Sequence, residues 1–269
     1  MPTIADISRF LGDFAPLPLA EPWDNVGLLV GHSSRQVNRI VTCLTITPDV
    51  ATEAIELGAE LIVSHHPVLF KPVQKLVSTD AQAAMLLQLI EAGVAIYSPH
   101  TAFDSALGGI NQQLAVLFSL EDIQPLRIKA TAGPGERPGE AAGAGRHGKL
   151  SVTRTLTELC ELTKIKLRIR QLQFVGEPQR KIQRLAIACG AAAEFIPDAI
   201  FAGCEALIVG EARFHDCLRA RDSGLALILP GHYATERPAV EAVAKLLQAT
   251  FPETVVTASL VESDPVKFG

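Results

Sequence analysis

The sequence predicts an α/β fold built as two related lobes, an internal duplication, with a middle α+β insertion. Three observations predict it: a β-α-β unit near the N-terminus, a second copy of that unit about 145 residues later, and strands that run directly into histidines. The expected division is 1–125 for the first lobe, 126–182 for a linker and insertion, and 183–269 for the second lobe.

In order, Ile4, Ile7, Phe10 and Leu11 recur at helical spacing, which predicts a helix over Thr3 to Phe14. A proline-rich link leads to Glu21-Pro22-Trp23-Asp24-Asn25-Val26-Gly27, a turn feeding a short strand, with Trp23 read as a core aromatic anchoring that loop. Arg39 to Thr45 is β-branched and strand-like. Pro48 to Leu57 is an amphipathic helix with Thr47 as its cap and Gly58 as its stop. Leu61-Ile62-Val63-Ser64 is again a strand, so a parallel pair with a right-handed crossover is expected. That strand ends in His65-His66-Pro67. Because neighbouring side chains of an extended chain point to opposite sides, the two imidazoles fit two adjacent metals better than one.

After a loop around Lys71 to Asp80, a helix is expected over Ala81 to Ala92, a strand over Val94 to Tyr97, and a helix from Ile110 to Phe118. Lys129 to Gly148, rich in Gly, Ala, Pro and Glu, reads as a flexible linker. Ser151 to Leu162 is expected to be helical, Lys166 to Phe174 an alternating strand, and Arg184 to Ala188 a strand.

The repeat pairs Arg39-Ile40-Val41-Thr42-Cys43 with Arg184-Leu185-Ala186-Ile187-Ala188, Pro48-Asp49 with Pro197-Asp198, and Gly58 to Val63 with Gly203 to Val209. Glu211 falls where His66 stands. Both copies then end a strand with His-x-x-x-carboxylate, His100 to Asp104 and His232 to Glu236. Two such lobes would converge their ligands across a pseudo-two-fold cleft.

The 269 residues, 48% hydrophobic with net charge −5 and pI about 5.8, are enough for a large core. They carry no basic run that would mark nucleic acid as the main partner. Five cysteines without a C-x-x-C pair indicate neither a disulfide framework nor a zinc ribbon, and fit a reducing cytoplasm. No signal peptide or apolar stretch of about 20 residues is present, so no membrane partner is expected.

Imidazole and carboxylate donors without thiolate suit two divalent ions such as zinc, manganese or iron(II). A pair of metals needs a bridging carboxylate, which Glu236 or Asp104 can supply, and such a pair supports hydrolysis of a small-molecule substrate. Glu236, His100 and His215 are the candidate catalytic groups, the two histidines as orienters or acid/base groups, or as ordinary hydrogen-bonded histidines. Glu211 is either near the site or a solvated carboxylate. Arg213 and Arg237 could contact phosphate or sit on the surface.

Trp23-Asp24-Asn25-Val26-Gly27-Leu28, Ser64-His65-His66-Pro67, His100-Thr101-Ala102-Phe103-Asp104 and Gly231-His232-Tyr233-Ala234-Thr235-Glu236-Arg237 together resemble the GTP cyclohydrolase 1 type 2 family, also called Nif-three-like dinuclear metal centre proteins. Gly143 to Leu150 resembles that family's glycine-arginine turn. The resemblance implies that His65 and His232 help hold one metal, His66 and Asp104 the other, and that Glu236 bridges both. It also implies a ring-shaped homohexamer and, through the family's name, opening of the guanine imidazole ring of GTP. The alternative is a non-catalytic metal-binding adaptor or regulator.

Overall fold

The computed structural model describes residues 1–129 and 141–267. The chain forms two compact units, one of Met1–Phe103 with Arg237–Pro265, the other of Asp104–Glu236 with the chain end from Val266. The expected boundaries at 125/126 and 182/183 do not coincide with these limits. Both lie inside the second unit, whose sheet includes the residues expected as an insertion.

In the first unit, α1 (Ile4–Phe14) opens with a capping box in which Thr3 and Asp6 satisfy each other's backbone amides. It is followed by β1 (Gly27–Val30), β2 (Arg39–Cys43), α2 (Pro48–Glu56), β3 (Leu61–Ser64), α3 (Ala81–Glu91), β4 (Ala95–Ser98) and α4 (His100–Ser105). Thr47 accepts from Val50 N at the start of α2. The five-stranded sheet runs β1-β4-β3-β2-β13, with β13 (Val255–Ala258) added near the chain's end. β2, β3 and β4 are parallel neighbours, β13 is parallel to β2, and β1 is antiparallel to β4. β3 and β4 are buried at every position, so their sequences are continuous apolar runs rather than alternating ones.

The second unit holds α5 (Ile110–Leu117), β5 (Leu120–Gln124), β6 (Arg127–Ile128), β7 (Gly143–Ala144), β8 (Arg146–Thr155), α6 (Leu156–Leu167), β9 (Gln173–Val175), β10 (Lys181–Ala188), α7 (Ile196–Phe201), β11 (Ala206–Val209), α8 (Phe214–Asp222) and β12 (Ala226–Leu229). Its sheet order is β5-β8-β10-β11-β12-β9. α9 (His232–Thr250) starts here and continues into the first unit's sequence at Arg237.

The duplication is visible in both sheets. β10, β11 and β12 repeat the parallel β2, β3 and β4, and β9 is antiparallel to β12 as β1 is to β4. The match reaches single hydrogen bonds. Glu60 accepts from Asn38 N and Arg39 N, 3.0 and 2.9 Å, and Glu205 accepts from Gln183 N and Arg184 N, 3.1 and 2.6 Å.

Three sequence expectations change. Part of the expected linker, 130–140, lies outside the described residues. The remainder forms β7 and the start of β8, and its glycines serve close packing, since a Cβ at Gly143 would collide with the Arg127 carbonyl. The helix expected from Ser151 begins only at Leu156, because Thr155 and Glu158 form a capping box there and β8 runs up to it. The strand expected over Lys166 to Phe174 is mostly the end of α6 and a turn, with Arg168 in the left-handed region at φ 56°, leaving only Gln173–Val175 as strand.

Candidate metal centre

In the first unit the β2-β3 ladder continues past the strand end. His65 N and His66 N donate to the carbonyls of Cys43 and Leu44, 3.0 and 2.8 Å. Ser98 Oγ donates to the His65 carbonyl at 2.6 Å, and Ser64 Oγ to that of His66 at 2.8 Å. Four hydrogen bonds therefore fix the backbone that carries the two imidazoles. His100, the first residue of α4, adopts φ 29°, a conformation unfavourable for a residue with a Cβ. It brings a third imidazole against the pair, with ring centroids 5.2 Å from His65 and 5.6 Å from His66.

His65, His66 and His100 each offer a ring nitrogen within 4.8 Å of the others, so the three form a group that could hold a metal ion. β3 ends at Ser64, and the pair lies in the turn beyond it, with centroids 5.1 Å apart.

Two side chains orient these rings. Thr45 Oγ1 lies 2.7 Å from His66 Nδ1. Asp24 Oδ1 lies 2.8 Å from His100 Nδ1. An ionised carboxylate can only accept, so His100 Nδ1 carries a proton, and in the neutral ring Nε2 presents its lone pair, as a metal ligand or a proton acceptor requires. Burial alone would raise the Asp24 carboxyl, but the hydrogen bonds from His100 and Thr101 outweigh it and hold the carboxyl at about 2 instead of 3.8. A lowered folded-state value stabilises above pH ~4, and the contribution is lost as pH falls through about 2. Asp24→Asn is expected to cost about 2 kcal/mol at neutral pH, with the gap to the parent narrowing by pH 3. Urea denaturation at the two pH values checks this, and an equal gap at both would refute it.

The second unit holds an acidic group. At the start of α9, His232 Nε2 lies 2.9 Å from Glu236 Oε2, one helical turn on, and His232 Nδ1 lies 3.1 Å from Glu211 Oε1. With a carboxylate on each nitrogen, the imidazole is held protonated. The Glu236 hydrogen bond raises it most, against the opposing effect of burial, and Glu211 adds to the rise, to about 9. A cation bound at Nε2 would take the place of that proton. Glu236 is buried, and its Oε1 occupies the space a side chain at Gly190 would need.

Asp104 Oδ1 accepts from Cys189 Sγ at 3.3 Å. Burial first, then the charges of Asp104 and Glu236, push the Cys189 thiol well up, so it is a neutral donor to the Asp104 carboxylate. Asn111 accepts from Cys189 N at 2.8 Å and donates to the Asp104 carbonyl at 3.1 Å. The donors gathered in the two units are thus imidazole nitrogens and carboxylate oxygens, a set that fits a divalent cation such as zinc, manganese or iron(II).

The model of the DUF34/NIF3 family (NGG1p interacting factor 3) matches residues 2–265. The chain belongs to this family. Among its relatives are the GTP cyclohydrolase 1 type 2 homolog of Clostridium acetobutylicum, 32% identical with 98% of each chain covered. The NIF3-like protein 1 of Drosophila melanogaster is 30% identical, covering 98% of this chain and 88% of that one. Among solved structures, Staphylococcus aureus protein SA1388 is 28% identical with TM-score 0.88, covering 99% of each chain. A Bacillus cereus protein related to NIF3, 21% identical with TM-score 0.89, shows the same fold.

Four further residues of this NIF3-family chain, Trp23, His215, Arg237 and Arg213, are placed as follows. Trp23 is 58% exposed and is not a core aromatic. His215 lies exposed in the first turn of α8, its ring against Phe214. Arg237 donates to the Ser259 carbonyl at 2.9 Å and pairs with the buried Glu262 carboxylate. Arg213 stands at the N-cap of α8. The residues not foreseen are Asp24 as a histidine orienter, Thr45, Asn111, Cys189 and Gly190. The repeat contained a signal for two of them, since Cys189 and Gly190 stand where Leu44 and Thr45 stand in the first copy.

Proposed function

We propose that His65, His66, Asp104, His232 and Glu236 together hold two divalent cations, and that the chain is a metal-dependent hydrolase of cyclohydrolase type. Its substrate in this reading is GTP or a related small heterocyclic or phosphorylated molecule. The observation that carries the reading is the His65-His66-His100 group, three imidazoles held by backbone and carboxylate hydrogen bonds with ligand nitrogens within 4.8 Å of one another. Support comes also from the name of the Clostridium acetobutylicum relative. Bound divalent ions would acidify a coordinated water and polarise the bond under attack. Asp24 keeps the His100 tautomer fixed, Thr45 restrains His66, and Cys189 donates to Asp104.

A second reading, a metal-binding adaptor, draws on the family's description as an interacting factor. The family resemblance further supports a ring of six copies, and five free cysteines support a reducing cytoplasm. Among the described residues no helix is long and apolar enough to cross a membrane. The test is elemental analysis of freshly purified protein, followed by formate release from GTP after loading with iron(II), manganese or zinc. Bound metal is expected, with turnover lost in Glu236→Gln. Metal without turnover on GTP or a hydrolase substrate panel would favour the adaptor, and absence of metal would refute both.

A further inference from the structure

We propose that Glu262, on the segment that follows β13, is a positioning residue for the candidate metal ligand His66, acting through the backbone of Leu44 and Thr45. The inference deepens the proposed function and rests on its assignment of His66 to a divalent cation.

β2 ends at Cys43, and the next two residues both touch His66. The Leu44 carbonyl accepts from His66 N at 2.8 Å. Thr45 Oγ1 lies 2.7 Å from His66 Nδ1, so a cation would be taken at Nε2. The amides of the same two residues go to the chain's end. Leu44 N donates to Glu262 Oε1 and Oε2 at 2.9 and 3.0 Å, and Thr45 N donates to Oε1 at 2.7 Å. One carboxylate thus fixes both residues that hold His66, and hydrogen bonds to an ionised acceptor are about twice as strong as neutral ones.

Packing of apolar groups does not account for the place of Glu262. Leu260 and Val261, just before it, are 85% and 48% exposed, whereas the Glu262 side chain is 4% exposed. Polar contacts tie the segment down instead. Ser259 N donates to the Thr42 carbonyl at 2.8 Å, and Ser259 Oγ and Leu260 N donate to the Glu53 carboxylate at 2.5 and 2.9 Å. Arg237 Nε stands 2.9 Å from Glu262 Oε2. A buried carboxylate needs donors to replace its lost hydration, and Arg237 and the two amides provide them.

The internal repeat offers an independent comparison. Cys189 and Gly190 follow β10 as Leu44 and Thr45 follow β2, and side chains meet their amides too. Cys189 N donates to Asn111 Oδ1 at 2.8 Å, and Gly190 N to Thr235 Oγ1 at 3.1 Å. Both copies therefore hold the pair of amides beyond the strand. The first copy draws its acceptor from 218 residues away and gives it a full charge.

The full chain, stripped of metal by chelation, is titrated with zinc against a chromophoric chelator, beside urea unfolding curves of the metal-free proteins. Glu262→Ala and Thr45→Val are each expected to bind at least one zinc equivalent about tenfold more weakly, the scale of losing a group that orients a ligand. The double variant should lose no more than about tenfold, because the two changes break one chain of contacts. Glu60→Ala is the control. It removes the acceptor of Asn38 N and Arg39 N at the other end of β2, so it should lower the urea midpoint while leaving zinc affinity within about twofold. Glu262→Asp keeps the charge beside Arg237 and shortens its reach by one methylene. It should fall between the parent and the alanine variant, and it carries the test if that variant does not fold. The proposal is overturned by zinc affinity within about twofold of the parent in the Glu262 variants, by a double variant about a hundredfold weaker, or by an equal loss in Glu60→Ala. A parent chain that binds no zinc would overturn the metal centre itself, a result distinct from unchanged affinity in the variants.

Discussion

Gly190→Ala is expected to yield a folded protein that retains little of the metal proposed to bind at Glu236. Gly190 follows β10 with φ +66°, and a Cβ built there would overlap Glu236 Oε1 and come within 3.3 Å of the Glu236 carboxyl carbon and His232 Nε2. The obstructing atoms are the far end of a side chain, so the backbone can stay while the carboxylate swings away. The left-handed conformation itself costs about 1–2 kcal/mol for a residue with a Cβ, a tolerable loss for a domain of this size. The displaced Glu236 carboxylate, by contrast, would lie about an ångström or more from its place, and perturbing a metal-orienting group typically costs about 10–100-fold in affinity. Metal content after dialysis, measured beside a urea unfolding curve, separates the two effects. A variant that keeps its full complement of metal would show that the Glu236 carboxylate, as placed here, is not a ligand.

Arg146→Ala should lose about 3 kcal/mol or more of stability, with most of the protein recovered unfolded or aggregated at elevated temperature. Arg146 is 1% exposed, one of the largest fully buried side chains among the described residues. Its guanidinium donates to the carbonyls of Gly143, Gly145 and Ala106 and to Gln112 Oε1. Burial presses its ordinarily high value down to about 10, still far above neutral pH, so the buried group is a cation whose charge is met by carbonyl dipoles. Removing it strands three buried backbone acceptors and leaves a cavity between β8 and the segment after α4, the helix that carries Asp104. Arg146→Lys should recover little, because a single ammonium cannot reach four acceptors in different directions. Denaturant midpoints for the three proteins test this, and a loss below about 1 kcal/mol in the alanine variant would contradict the clasp.

Much of the fold could be read in advance because its signals are local. The apolar runs at 61–64 and 206–209, their helix caps and the glycines after them recur at one spacing, and that recurrence gave both the duplication and the His-x-x-x-carboxylate pairs. The start of α6 at Leu156 is also legible locally, since Thr155-Leu156-Thr157-Glu158 is itself a capping-box signature. Lys129 to Gly148 differs. Glycine-rich composition reads as flexibility, whereas here β8 pairs with β5 and β10, partners that composition cannot reveal.

The sequence alone determined the donor chemistry, imidazoles and carboxylates at strand and helix ends, because residue type and short-range period are properties of the chain itself. Only the tertiary structure decided which nitrogens those imidazoles present. Asp24 reaches His100 across 76 residues, Cys189 reaches Asp104 across 85, and Arg146 reaches Ala106 across 40. Such contacts are selected by packing of the whole unit, whose gain in buried area must outweigh the entropy of closing long loops, and no short window of sequence contains that balance.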